Sequence, residues 1–157
     1  MSDIFIKIDG IAGESDDPAH PDEIEVLSWN WDITQQSALH TNSGGGATKA
    51  TVSDLSFVHH IDRASPTLAS HCFQGRYIPK AVLTMRKAGG RPLEYLRVTI
   101  HDVVISHVGS AAGDGLALEH VALSFARVKK EYVAQSATGI SQGTLTSIID
   151  VKRNTIA

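Results

Sequence analysis

Histidine is the side chain with which this chain could most readily do chemistry: there are eight, beside a single cysteine. Imidazoles bind metal or relay protons only where they converge. His59 and His60 are adjacent, so on a strand they point to opposite faces. His101 and His107 could share a face, but six strand residues hold them about 20 Å apart, too far for one ion. No His-x-x-x-His helix and no paired-cysteine spacing is present. Cys72 cannot form an internal disulfide and reads as a small apolar residue on a helix.

Other constellations fare no better. The run Gly44-Gly45-Gly46-Ala47-Thr48-Lys49 has the composition of a phosphate loop but not its Gly-x-x-x-x-Gly-Lys-Ser/Thr spacing. Glu14-Ser15-Asp16-Asp17 lacks the glycine and distal glutamate of a calcium loop and reads as a solvated acidic turn. No Gly-x-Ser-x-Gly elbow presents a serine for attack. The expectation is a protein with no catalytic residues, metal or cofactor: not an enzyme.

The elements that would position these groups are mostly strands. Ile4, Ile6 and Ile8 alternate with Phe5, Lys7 and Asp9. Gly10 to Pro21 is a breaker-rich loop. From Ile24 to Thr34, Leu27, Trp29, Trp31 and Ile33 share one face and Ser28, Asn30 and Asp32 the other. Ile24 and Val26 fall out of phase with the apolar set, which predicts a bulge or twist near Val26 and Leu27. A long Gly-rich loop spans about 37–47, and strand pattern resumes over 48–58.

The period then changes. Ser65-Pro66 starts a helix over about 65–74, with Ser65 as cap and Leu68, Ala69, Cys72 and Phe73 on one side; Gly75 ends it. Strand alternation returns over 80–86 and 93–107, with a hairpin turn at 88–92 and a second turn at 109–115. Val121, Leu123 and Phe125 start another strand, and a last one covers 145–152. The sum is a mainly β fold: an antiparallel β-barrel of two sheets with about 7–9 strands and one short helix, as a single domain over 1–157.

A 42% apolar fraction suits a globular core, and a net charge of −3 gives no field for nucleic acid or anionic membrane. No segment approaches the ~18 apolar residues of a membrane span. The opening Met1 to Lys7 has no basic stretch before an apolar run, so export without a signal peptide is expected if the cytoplasmic chain leaves the cell.

Several consecutive motifs resemble the hemolysin-coregulated protein family, Hcp. They are Phe5-Ile6-Lys7-Ile8-Asp9-Gly10-Ile11-Ala12-Gly13-Glu14-Ser15, Ile24-Glu25-Val26-Leu27-Ser28-Trp29-Asn30-Trp31, and Asp54-Leu55-Ser56-Phe57 followed by Ile61-Asp62-Arg63-Ala64-Ser65-Pro66. Further on come Leu83-Thr84-Met85-Arg86-Lys87-Ala88-Gly89-Gly90, Glu94-Tyr95-Leu96, Glu119-His120-Val121-Ala122-Leu123-Ser124-Phe125 and Asp150-Val151-Lys152-Arg153-Asn154. The likeness runs in order through nearly the whole chain. It implies a homo-hexameric ring that stacks into the hollow inner tube of a type VI secretion system. The implied partners are a contractile sheath, a VgrG-type spike protein and small effectors in the lumen. It also implies that the Ser28, Asn30 and Asp32 face lies toward the lumen. The loop residues Thr41, Asn42, Ser43, Gly44, Gly45 and Gly46 are the expected ring-stacking or subunit-contact segment, since glycine lets a backbone order on contact.

Two readings from other classes compete. One is a monomeric β-barrel module binding a carbohydrate or other small ligand, with Tyr95 and Tyr132 as stacking platforms. The other is a hydrolase using Asp102 and Glu119. Asp102 interrupts an apolar strand pattern and is expected to meet a partner at a bulge or interface.

Overall fold

A computed structural model describes residues 3–36, 49–87, 93–136 and 141–157. The expected Gly-rich loop at 37–47 and the turn at 88–92 lie outside them. The strands are β1 (Ile4–Ile8), β2 (Ile24–Glu25), β3 (Ser28–Asn30), β4 (Ile33–Thr34), β5 (Thr51–Val52), β6 (Leu55–His60), β7 (Tyr77–Lys87), β8 (Leu93–Gly113), β9 (Leu116–Ser124), β10 (Arg127–Gln135), β11 (Ser141–Asp150) and β12 (Thr155–Ile156). The helix α1 (Ser65–Gln74) sits between β6 and β7. Among the described residues every strand pairing is antiparallel, in one large sheet and a small one formed by β4 and β5.

The strands outnumber the expected set because continuous apolar patterns break where the chain changes partners. The expected 24–34 strand divides into β2, β3 and β4. At Val26 the N–H donates to Ile4 O (2.9 Å), and at Leu27 it donates to Val58 O (2.8 Å). The chain thus leaves β1 and joins β6 at the place where the phase slip predicts an irregularity. From there the covalent chain, not a ladder, carries the sheet around, so the antiparallel two-sheet arrangement is present without a closed barrel.

The same crossing decides which apolar residues are covered. Trp29 and Trp31 pack against the core, whereas Leu27 is 44% and Ile33 48% exposed. Leu27 sits on the crossing itself, and Ile33 belongs to the small separate sheet.

Strand β8 is shared by both halves of the large sheet. Its first half pairs with β7 and β10, and its second half with β9. The changeover lies at Asp102, whose φ of 57° is a left-handed conformation that aspartate tolerates better than most side chains. Asp102 Oδ1 accepts the Tyr77 hydroxyl at 2.8 Å, which holds the kink. That hydrogen bond lowers the carboxyl's pKa and raises the phenol's. A bulge between Ile105 and His107 completes the turn of the strand. Beyond it β8 and β9 run to a two-residue hairpin at Asp114 and Gly115, both with positive φ.

The two halves bury their apolar faces on one another. Ile6, Leu83, Val98 and Ile100 meet Leu55, Phe57, Val121 and Leu123, with Leu68 of α1 joining them. Each such side chain contributes about 1.5–3 kcal/mol by removal from water. Helix α1 buries a narrower stripe than its pattern predicts: Leu68 is fully covered and Cys72 partly, but Ala69 is exposed and Phe73 is 94% exposed. Its cap also differs. Ser65 is already helical, and Ala64 occupies the cap. Asp62 braces this start, with Oδ1 accepting Ala64 N–H (2.8 Å) and its own N–H donating to Ser65 Oγ (3.1 Å). Gly75 ends the helix in a left-handed conformation as expected.

Residues 9–23 form a strap across β1. Gly13 N–H donates to Asp22 O (2.7 Å), and Ser15 N–H to Glu23 O (3.0 Å). A Cβ on Gly13 would lie 2.5 Å from Glu23 O, which is backbone and cannot swing aside. Gly13→Ala is therefore expected to lower stability by about 1–3 kcal/mol, read as a lower urea midpoint with an unchanged slope; an unchanged midpoint would show that the strap yields.

Candidate functional site

Alternation on the second half of the sheet places polar and small side chains opposite the core. One row across the strands reads Ser28, Val58, His120, Gly109; the next reads Asn30, Ser56, Ala122, His107. These residues line an open trough. Trp29, Phe57 and Val121 point the other way, and the Trp29 indole N–H reaches Met85 Sδ at 3.3 Å. Among the described residues the trough's ionisable groups are His107 and His120, and no carboxylate, lysine or arginine lines it. The His107 ring lies over Gly109, its Nε2 2.9 Å from where a Cβ would stand there. Gly109 stands opposite His120 across the ladder.

Behind this face lies a buried polar cluster. His59 is 0% and Glu119 2% exposed, with His59 Nε2 and Glu119 Oε1 2.8 Å apart. Ser110 Oγ donates to Glu119 Oε2 at 3.1 Å. His59 Nδ1 stands 3.7 Å from Asp62 Oδ2, an ion-pair distance beyond a hydrogen bond. Burial disfavours the imidazolium, but the two carboxylates outweigh it, and His59 holds its proton above the ordinary range. The cluster ties β6, β9 and β8 to Asp62, the brace of α1.

The acidic strap is likewise occupied. Arg86 donates to both Asp17 oxygens (3.0 and 2.6 Å), which lowers that carboxyl's pKa to about 2. Glu14 Oε2 accepts Arg63 N–H at 3.0 Å. His20 stacks on Phe5, with centroids 4.6 Å apart, and bridges Glu23 and Glu94. These groups clamp the strap to β7 and β8 rather than offering a calcium loop. Among the described residues no group of three or more His, Cys, Asp or Glu could hold a metal ion.

A sequence model of the family described as type VI secretion system effector, Hcp, matches residues 5–132. The chain belongs to the Hcp family. It is 44% identical over 144 residues to protein hcp1 of Pseudomonas aeruginosa, covering 90% of this chain and 89% of that one. The crystal structure of Hcp1 from Salmonella typhimurium superposes with a TM-score of 0.82 at 46% identity over 100% of both chains. A type VI secretion system effector from Yersinia pestis gives 0.79 at 40% identity, over 95% of this chain and 100% of that one.

In this Hcp chain, Ser28 and Asn30 do share the trough face. Asp32 does not line it: it lies between β3 and β4, exposed, with its N–H donating to Ser53 Oγ at 2.8 Å. Thr41 to Gly46 fall outside the described residues. Tyr95 and Tyr132 pack edge-to-face on each other at 6.5 Å rather than lying side by side as a flat stacking platform. Asp102 and Glu119 have separate partners, in Tyr77 and Arg127 on one side and His59 and Ser110 on the other. His107, His120 and Ser56 are the trough residues that sequence reasoning misses. Sequence spacing compares His107 only with His101 on its own strand, while its neighbour stands across the ladder. The alternation of each strand was legible; the register between them was not.

Because folding raises the pKa of His59 above 6.5, its contribution is fully present below that pH and lost as pH rises through the folded value. Glu119→Gln should thus cost most in acid, about 3 kcal/mol or more, and progressively less in alkali. Urea midpoints of both proteins across that range check it; a constant gap would remove His59 as the titrating group.

Proposed function

We propose that this Hcp chain is the subunit of a type VI secretion inner tube, a structural and carrier protein rather than an enzyme. Six copies close a ring, rings stack into a hollow tube, and the trough face lines the lumen where small effectors travel. The sheath and the spike protein are the remaining partners of that reading, and export proceeds through the machine itself. The Thr41 to Gly46 segment is assigned the contact between rings or subunits on its glycine content.

The observation that carries the reading is the pairing of an unlike-faced sheet with Hcp membership. One face supplies a core; the other is an open trough with polar groups from Ser28, Asn30, Ser56, His107 and His120. Uncovered apolar groups support assembly: Phe73 is 94%, Ile156 75% and Leu145 69% exposed. Along β11, residues 142–148 are exposed on both faces. The buried His59 and Glu119 support a structural role, because they are paired with each other inside the fold. Nothing favours the sugar-binding reading, whose two tyrosines pack together.

Light scattering on the purified protein should give a particle of about 100 kDa, six times the 16.8 kDa chain, with annular outlines in negative stain. Asn30→Trp should keep that mass while lowering co-purification of cargo. A single-chain mass at high concentration would end the ring reading; undiminished cargo in the variant would end the lumen assignment.

A further inference from the structure

The trough carries a more specific chemistry than its polarity. The strand register sets His60, His120 and His107 on one diagonal across β6, β9 and β8, since they stand opposite or at positions 118, 120 and 122 of β9. All three are exposed. Diagonal neighbours on one sheet face are separated by about 7–8 Å or somewhat less. That is close to the repeat of about 6.6 Å between alternate side chains of an extended peptide. Every polar group of the floor, in Ser28, Asn30, Ser56 and the two imidazoles, can donate a hydrogen bond.

We propose that the trough takes an extended polypeptide segment carrying carboxylates at alternate positions, two of which are received by His107 and His120 as imidazolium donors. This deepens the reading of the same face as the cargo surface, but the chemistry belongs to one chain's sheet and does not require the ring.

The surrounding charges limit the match to two carboxylates. His60 ends the diagonal among Glu14, Glu25 and Asp62, which repel a longer acidic segment. At the other end Asp54 is held by the Ser106 hydroxyl at 2.6 Å, and Asp32 lies beyond β3. Glu119 and His59 face the opposite side of the sheet and neutralise each other. An imidazolium is a charge-assisted donor to a carboxylate and a neutral imidazole is not, so capture should strengthen as the solution becomes more acidic.

The test is fluorescence anisotropy with two labelled peptides of alternating Thr-Glu and Thr-Lys, titrated with the full chain at about pH 6 and pH 8. The acidic peptide should bind about tenfold tighter at the lower pH, as charge-assisted hydrogen bonds to two imidazolium groups require, and the basic one should not bind. His107→Gln with His120→Gln should abolish the pH difference, and His60→Gln should leave it. Equal binding of both peptides, no binding of either, or a pH difference that survives the double substitution would overturn the proposal. Light scattering on the same samples separates the readings: rings that ignore the acidic peptide sink this proposal alone, and single chains that bind it sink the ring alone.

Discussion

Strand β8 must serve two halves of one sheet, and the fold depends on how it does so. An antiparallel ladder keeps side chains alternating between faces, and with one short helix the apolar face is buried mainly by the sheet folding over on itself. The bend is made at Asp102, in a left-handed backbone conformation, and is followed by a bulge before His107. The Tyr77 hydroxyl holds the Asp102 carboxylate, and the first half of β8 stays on β7 and β10 while the second turns to β9. Everything on the trough face follows from that bend. The bulge resets the alternation so that Val108 and Ile105 remain with the core cluster while His107 emerges beside Ala122.

A second constraint comes from the polar groups that the bend encloses. Glu119 lies beneath the sheet half that carries the trough, where an unpaired carboxylate would be costly. His59 and Ser110 satisfy it, and Asp62 stands at ion-pair distance from the far side of the His59 ring. The same Asp62 braces the start of α1, so the helix, the sheet and the buried pair are secured by one group of side chains. The strap is fastened through Arg86 and Asp17 and through His20 stacked on Phe5. In both places ionisable residues that look like potential chemistry in the sequence are committed to holding the fold, which agrees with the structural role proposed for this Hcp chain.

What the sequence reveals and hides divides along local and non-local physics. Alternation places Ser28 and Asn30 opposite Trp29, and the phase slip marks the crossing at Val26 and Leu27, because both are properties of consecutive residues. The helix ends at Gly75 for a local reason too. Failures arise where a distant element decides. Phe73 has the helical spacing of a core residue, yet the contact stripe on α1 is narrow and leaves it in solvent. Ser65 has the chemistry of a cap, but Asp62 takes part in the start and shifts the boundary by one residue. Asp32 continues the polar alternation past the point where β3 ends. The histidine diagonal is invisible in any single strand, since it exists only in the register between three of them.

The central claim is that one particular sheet face, floored by Ser56 and Ala122 and edged by Asn30, is the inner surface of an assembled particle. Electron cryomicroscopy of the purified particle, reconstructed to a resolution at which strands separate, tests this directly. The account predicts β3, β6, β9 and the second half of β8 around the central axis, with Asn30 and His120 pointing into the channel. A ring with that face turned outward, or packed against a neighbouring subunit, would contradict it.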